Sequence, residues 1–288
     1  MLNEFRGNGL SQELYNVLES NSRKSYIFWS AIESSKLIWV GPKSLFDSTT
    51  EFLAYLLEQM GNKVYTFIDE PEDKLIGQDD LIIKFILNDN KMCVLLKHNL
   101  KETRIKLDLF MYSGIPSPMI SIFPLISKHG KKKMRDLVKG TISAIEKQLD
   151  SIKNITSNLI SFGRNFCLGR SLGYALAIEF CKLLRIKLGV HSESYPAGES
   201  KHGPIALIEN GFPVFHFLHN MEAKEKMISS IMEMKARGAK IYVISHIADE
   251  EVWEVADMVI WLPKELDWDN FTNYVSYLVP ALAMTNVR

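Results

Sequence analysis

Between Asn165 and Ala206 the chain concentrates side chains that do chemistry: Gly169, Arg170 and Ser171 in one turn, then His191, Glu193, Glu199, Lys201 and His202. A histidine titrates nearer neutrality than any other unperturbed side chain, which makes His202 the natural group to pass a proton to a substrate oxygen. Glu199 and Lys201 flank it, placed to orient the imidazole or a substrate hydroxyl or to pair on the surface. Either Glu199 or Glu193 is a carboxylate available as a base. Gly169 and Ser171 stand where a short apolar run gives way to an apolar-periodic segment. At such a turn first-turn amides and a hydroxyl hold a phosphate, although Ser171 serves equally as a plain N-cap.

Other chemistries fail on spacing. Gly169-Arg170-Ser171-Leu172-Gly173 lacks the glycine pattern of a dinucleotide fingerprint, and Gly41-Pro42-Lys43-Ser44 lacks the leading glycine of a P-loop. His191-Ser192-Glu193 has no following Pro-Cys-x-x-Cys, so it does not make a zinc deaminase, and no metal or cofactor is expected. Across 288 residues, 34 Lys and Arg balance 34 Asp and Glu, which leaves no global field for nucleic acid or an anionic membrane. Lys131-Lys132-Lys133 reads as a solvated helix start. No apolar run reaches the roughly 18 residues of a membrane span, and the first residues lack the apolar core of a signal peptide. The three cysteines, Cys93, Cys167 and Cys181, sit among apolar neighbours as reduced thiols. A cytoplasmic protein is the expectation.

The elements that must position these residues follow from periodicity. Helical spacing predicts a helix over 11–32, a buried strand over 36–40, a helix over 45–60 closed by Gly61, and a strand over 63–68. Two apolar runs around Asn88-Asp89-Asn90 predict a hairpin of 81–87 with 92–97. Residues 104–111 alternate Ile105, Leu107, Leu109 and Met111, which favours a strand over the helical alternative, and a helix through Lys128 follows. One long helical connection is expected over 134–160. Beyond it, strands at 165–168, 213–217, 240–245 and 258–262 alternate with helices at 172–188, 221–237 and 268–284. That alternation is the signature of a doubly wound α/β sheet.

Three strings carry a resemblance. Leu168-Gly169-Arg170, Ala177-Ile178-Glu179 and above all Tyr195-Pro196-Ala197-Gly198-Glu199-Ser200-Lys201-His202-Gly203-Pro204 resemble the sugar-isomerase (SIS) family, within it the isomerase half of glucosamine-6-phosphate synthases. The resemblance implies two flavodoxin-like, doubly wound parallel-sheet lobes. The first, 1–152, is divergent and truncated and includes the connecting helix; the second is 153–288. It implies a sugar-phosphate ligand and a homodimer whose His202 loop reaches the neighbouring subunit's site. It also implies aldose–ketose isomerisation through ring opening by His202 and an enediol; the catalytic carboxylate expected beside His202 in this chain is Glu199, with Glu193 as the other choice. Substrate contacts are expected from Gly41, Lys43, Ser44, Ser117, Gly169, Ser171 and Lys201. Gly114-Ile115-Pro116-Ser117 matches the family's Gly-Val-Ala-Ser.

The departures from the family are as specific as the matches. The family's base is a Glu sixteen residues before the His of Lys-His-Gly-Pro, and that position is Ile186. The Lys expected three residues earlier is Leu183, the family's C-terminal tail with its lid Lys is expected to be missing, and the Ser-Gln-Ser-Gly-Glu-Thr phosphate loop has no counterpart in these residues. Val40-Gly41-Pro42-Lys43 replaces the Cys-Gly-Thr-Ser loop. Lys43, Lys97 or Lys101 is the point charge expected to replace the lost hydroxyls. A protein that binds a sugar phosphate without turning it over, as a sensor or partner subunit, is the alternative to an isomerase.

Overall fold

The structure is a computed structural model that describes residues 22–43, 46–72, 75–88, 91–98, 101–108, 110–112, 115–117, 121, 131–263 and 270–286. The chain forms two compact units, one ending at Arg135 and the other running from Asp136 to the C-terminus. The division falls at 135/136, inside the helix Lys131–Glu146, where 152/153 was expected.

In the first unit, α1 (Ser22–Glu33) precedes β1 (Ile38–Gly41), α2 (Asp47–Gln59) and β2 (Val64–Thr66). The hairpin strands β3 (Leu81–Asn88) and β4 (Lys91–His98) follow, then β5 (Lys101–Asp108) and the short pair β6 (Phe110–Tyr112) and β7 (Ile115–Ser117). The sheet order is β2-β1-β3-β4-β5. β1 pairs in parallel with β2 and β3, whereas β3, β4 and β5 are antiparallel neighbours. The expectation of a parallel sheet therefore holds for three strands only. The hairpin fills the place where a crossover helix would return the chain, since a short turn forces antiparallel pairing. Of the strand expected over 104–111, residues through Asp108 lie in β5 with Ile105 and Leu107 buried, Leu109 lies outside the described residues, and Met111 falls in β6. The helix expected after Ser117 and the first half of the one expected over 11–32 lie outside the described residues.

The second unit opens with α3 (Lys131–Glu146) and α4 (Leu149–Phe162), so the single long connection is broken in two. Gln148 accounts for the break. Its amide Nε2 donates to the Trp261 carbonyl at 2.7 Å while its Oε1 accepts from the Trp261 N–H at 2.8 Å. It thus closes the outer edge of the last strand as a neighbouring backbone would. The strands are β8 (Arg164–Gly169), β9 (His191–Pro196), β10 (Pro213–Leu218), β11 (Lys240–Ser245) and β12 (Met258–Trp261). Between them lie α5 (Leu172–Leu188), α6 (Lys224–Lys235) and α7 (Glu250–Val255), and α8 (Asn270–Asn286) ends the fold. All five strands are parallel in the order β12-β11-β10-β8-β9, the flavodoxin-like arrangement.

Both faces of this sheet are covered, so its strands are apolar on both sides. On one face Phe166, Val214, Ile241 and Val243 meet Met227, Ile231 and Met234 of α6. On the other, Phe180 of α5 packs between Phe215 and Phe217 at 5.1 and 5.2 Å, and α8 packs on α5. No helix among the described residues is long and apolar enough to cross a membrane.

Candidate functional site

In a 2-1-3-4-5 sheet the connections leaving β8 and β10 go to opposite faces, so a crevice opens at the carboxyl ends of those two strands. The chain delivers charge there. Arg170 follows the last residue of β8, the Ala197–His202 segment follows β9, and α6 begins after β10 through a 3-10 turn at Met221–Ala223. Together Arg170, Ala197, Gly198, Lys201, Lys226 and Ser229 line a recess of about 330 Å³, with Glu225 as the carboxylate on its wall. Gly198 leaves its side of the wall low: a Cβ there would touch Nη2 of Arg170 at 3.5 Å.

The turn before α5 is built by close packing. A Cβ on Gly169 would lie 2.1 Å from the backbone of Gly173, and one on Gly173 would lie 2.8 Å from the carbonyl of Phe217. Both positions must be glycine for helix and strand to approach, which explains Gly169 without any ligand contact. Ser171 takes φ 51° and ψ −122°, the one positive φ among the described non-glycine residues. Its hydroxyl makes no capping bond, and the residue is exposed. The plain N-cap reading therefore fails; the serine is held in a strained backbone conformation at the rim of the crevice.

His191–Pro196, for which periodicity predicts no element, is the strand β9, paired with β8 on one side only. Along it, Glu193 accepts from the hydroxyl of Tyr195 and pairs with His191 Nε2 at 2.8 Å. These bonds hold its carboxyl below the usual carboxylate range, while burial and the same carboxylate push the Tyr195 phenol up to about 12. A carboxylate so stabilised as an anion is a poor proton acceptor. Glu199 and His202 share a 3-10 turn, where the His202 N–H donates to the Glu199 carbonyl at 3.0 Å, and both side chains are exposed. Lys201 reaches back to Glu233 at 2.5 Å. Glu179, in α5, is buried and faces Lys182 at 3.5 Å.

The residues expected in the first unit do not converge in the same way. Gly41 is buried, and a Cβ there would lie 2.6 Å from the Phe67 carbonyl, so packing sets it. The Lys43 ammonium forms an ion pair with Glu51, which neutralises the charge expected to replace phosphate hydroxyls. Ser117 ends β7, and Ser44 lies outside the described residues. Among the described residues no group of three or more His, Cys, Asp or Glu could hold a metal.

The SIS domain family model matches residues 158–284, from the end of α4 into α8. The second lobe is a SIS domain. It is 42% identical over 130 residues to the glutamine–fructose-6-phosphate aminotransferase [isomerizing] of Sulfurisphaera tokodaii, a match covering 44% of this chain and 21% of that protein. With the enzyme of that name from Methanothermobacter thermautotrophicus the identity is 32% over 167 residues, 57% of this chain and 28% of that protein. The chain thus matches less than a third of the length of these relatives. The whole fold is similar to the C-terminal domain of glucosamine-fructose-6-phosphate aminotransferase from Francisella tularensis. The TM-score is 0.67 at 19% identity, covering 99% of this chain and 94% of that one. It is also similar to tagatose-6-phosphate ketose/aldose isomerase from Escherichia coli, with a TM-score of 0.61 at 12% identity, covering 96% and 88%. Both likenesses cover the first lobe as well as the second and show the fold alone.

Within the SIS lobe, Ile186 stands on α5 with 56% of its surface exposed. Leu183, one turn earlier, is buried. Where the resemblance implies a base, this helix presents an accessible hydrocarbon. Arg170, Lys226 and Ser229 were not singled out from the sequence as site residues. Arg170 was legible as the charged member of the glycine turn. Nothing in the sequence pattern marks Lys226 or Ser229, and only the return of α6 to the sheet edge brings them to the recess.

Proposed function

We propose that this protein binds a phosphorylated hexose or hexosamine at the carboxyl edge of its SIS lobe and holds it without the family's isomerase chemistry, as a sensor or a partner subunit. Two features support retained binding: the ten-residue run from Tyr195 to Pro204 and the cationic recess it helps to line. The observation that carries the reading is Ile186, an exposed hydrocarbon at the position where the resemblance implies the base. The helix α5 sets it about 21 Å of helix away from Leu172 at the recess, so it speaks against the family's chemistry and not for the place of binding. The obvious substitute, Glu193, is tied down by Tyr195 and His191. A ligand that binds only the folded state raises stability by about 2.7 kcal/mol at a hundred times its dissociation constant. Thermal unfolding against a panel of hexose and hexosamine phosphates should therefore show one selective shift, with no aldose–ketose turnover of that sugar. A panel without any shift at millimolar concentrations removes the reading.

A second reading is a divergent phosphosugar isomerase. It is favoured by Glu199 and His202, which expose a carboxylate and an imidazole on one turn. His202 would open the ring and Glu199 carry the proton. Turnover abolished by His202→Ala would establish this reading, and unaltered turnover would sink it. In either case the exposed 199–207 turn, with Leu207 55% exposed, is read as the contact of a homodimer. Light scattering that returns a monomer mass would discard that part.

A further inference from the structure

We infer that the recess between Arg170, Lys201 and Lys226 is an anion seat for a phosphate group, placed by the second lobe alone. The inference deepens the sugar-phosphate reading and rests on it only for the sugar, not for the phosphate. Three cations and one carboxylate line the recess. The acids that ordinarily neutralise such lysines are spent elsewhere. Asp249 and Glu251 both take the neighbouring Lys224, whereas Lys201 of the recess is itself paired with Glu233, so the uncompensated charge of the seat is that of Arg170 and Lys226. Among the described residues neither Arg170 nor Lys226 has a carboxylate partner. The Nε of Arg170 is shut from solvent and has no hydrogen-bond acceptor. Nη2 of the same half-buried guanidinium stands at the Gly198 wall of the recess, and an oxyanion bound there gives the arginine a charge partner. The first turn of α6, a helix of 12 residues, brings Lys226 to the same wall, and the helix dipole there favours negative charge. The recess volume of about 330 Å³ suits a small phosphomonoester.

The test titrates inorganic phosphate into the full chain by calorimetry at constant ionic strength. Wild type is compared with Arg170→Gln, Lys226→Gln and Lys240→Gln. Lys240 is an exposed cation at the start of β11, on the opposite edge of the same sheet, and controls for net charge. Saturable binding is expected in wild type and Lys240→Gln, weakened about tenfold by Arg170→Gln and measurably by Lys226→Gln. Equal binding in all four proteins, or none in any, overturns the seat. If Arg170→Gln does not fold, the exposed Lys226 variant decides. A parallel titration with fructose 6-phosphate separates the two ideas. Sugar-phosphate binding that survives Arg170→Gln keeps the functional reading and discards the seat. Arg170-dependent phosphate binding without any response to hexose or hexosamine phosphates keeps the seat and discards the sugar.

Discussion

Two glycines at the crevice, one ending β8 and one just past β9, carry opposite demands. Gly169 has no room for a methyl group: its Cβ would fall 2.1 Å from the Gly173 backbone, which cannot swing aside as a side chain would. Gly169→Ala is expected to cost about 3 kcal/mol or to prevent folding. By contrast Gly198→Ala, whose Cβ meets only Arg170 at 3.5 Å, should stay within about 0.5 kcal/mol. Denaturant midpoints of the two variants check this pair, and equal costs would mean the turn relaxes. Two residues after Gly169, Ser171 carries the strain of a positive φ. Ser171→Gly should stabilise the protein by about 1 kcal/mol, because glycine adopts that region freely. If the same variant also weakens fructose 6-phosphate binding, the strain is there to present the hydroxyl. If binding is unchanged, Ser171 leaves the substrate-contact set.

The central strand β10 carries an unusual load for an interior element. His216 is fully buried with neither ring nitrogen hydrogen-bonded, and His219, just past the strand, is 4% exposed in the same state. Burial lowers their pKa values to about 3 and about 4, with the nearby His246 adding to the second. The unfolded chain takes up protons near 6.5 and the native one does not. The stability these neutral rings allow is therefore complete above 6.5 and is lost as pH falls toward 4, by about 1.4 kcal/mol per pH unit for each histidine. Urea midpoints at pH 7 and pH 5 should differ accordingly, with the slope reduced in His216→Leu; no difference would mean the rings are charged or solvated in the native state. The same strand was plain in the sequence, since Val214, Phe215 and Phe217 leave no polar face apart from His216. The hairpin β3–β4 was plain too, because an Asn/Asp turn between apolar runs has few other solutions. β9 was not, because His-Ser-Glu-Ser-Tyr-Pro has the composition of a loop. It is a strand only because β8 pairs with it in register from Arg164 to Gly169 and α5 covers it. The break at Gln148 was equally hidden: a side chain that bonds both backbone groups of Trp261, 113 residues away, leaves no local pattern.

Taken whole, the molecule divides its features between its two compact units. The SIS lobe closes its own core: the α6 face, the α5–α8 face and all five parallel strands come from residues after Asp136. The cations of the recess belong to that unit as well, whereas the first unit spends Lys43 on Glu51 and turns its sheet antiparallel after β3. With 34 charges of each sign over the chain, no long-range field draws an anion in, so local geometry must do it. Residues 136–288 expressed alone are therefore expected to unfold in one cooperative transition and to keep the phosphate affinity of the full chain within a few-fold. Chemical denaturation followed by circular dichroism and by fluorescence tests the first point, and calorimetry tests the second. A fragment that folds but no longer binds phosphate would show that the first unit supplies part of the seat. A fragment that does not fold would show that the SIS lobe depends on residues before 136 for its stability, despite the closed core it forms.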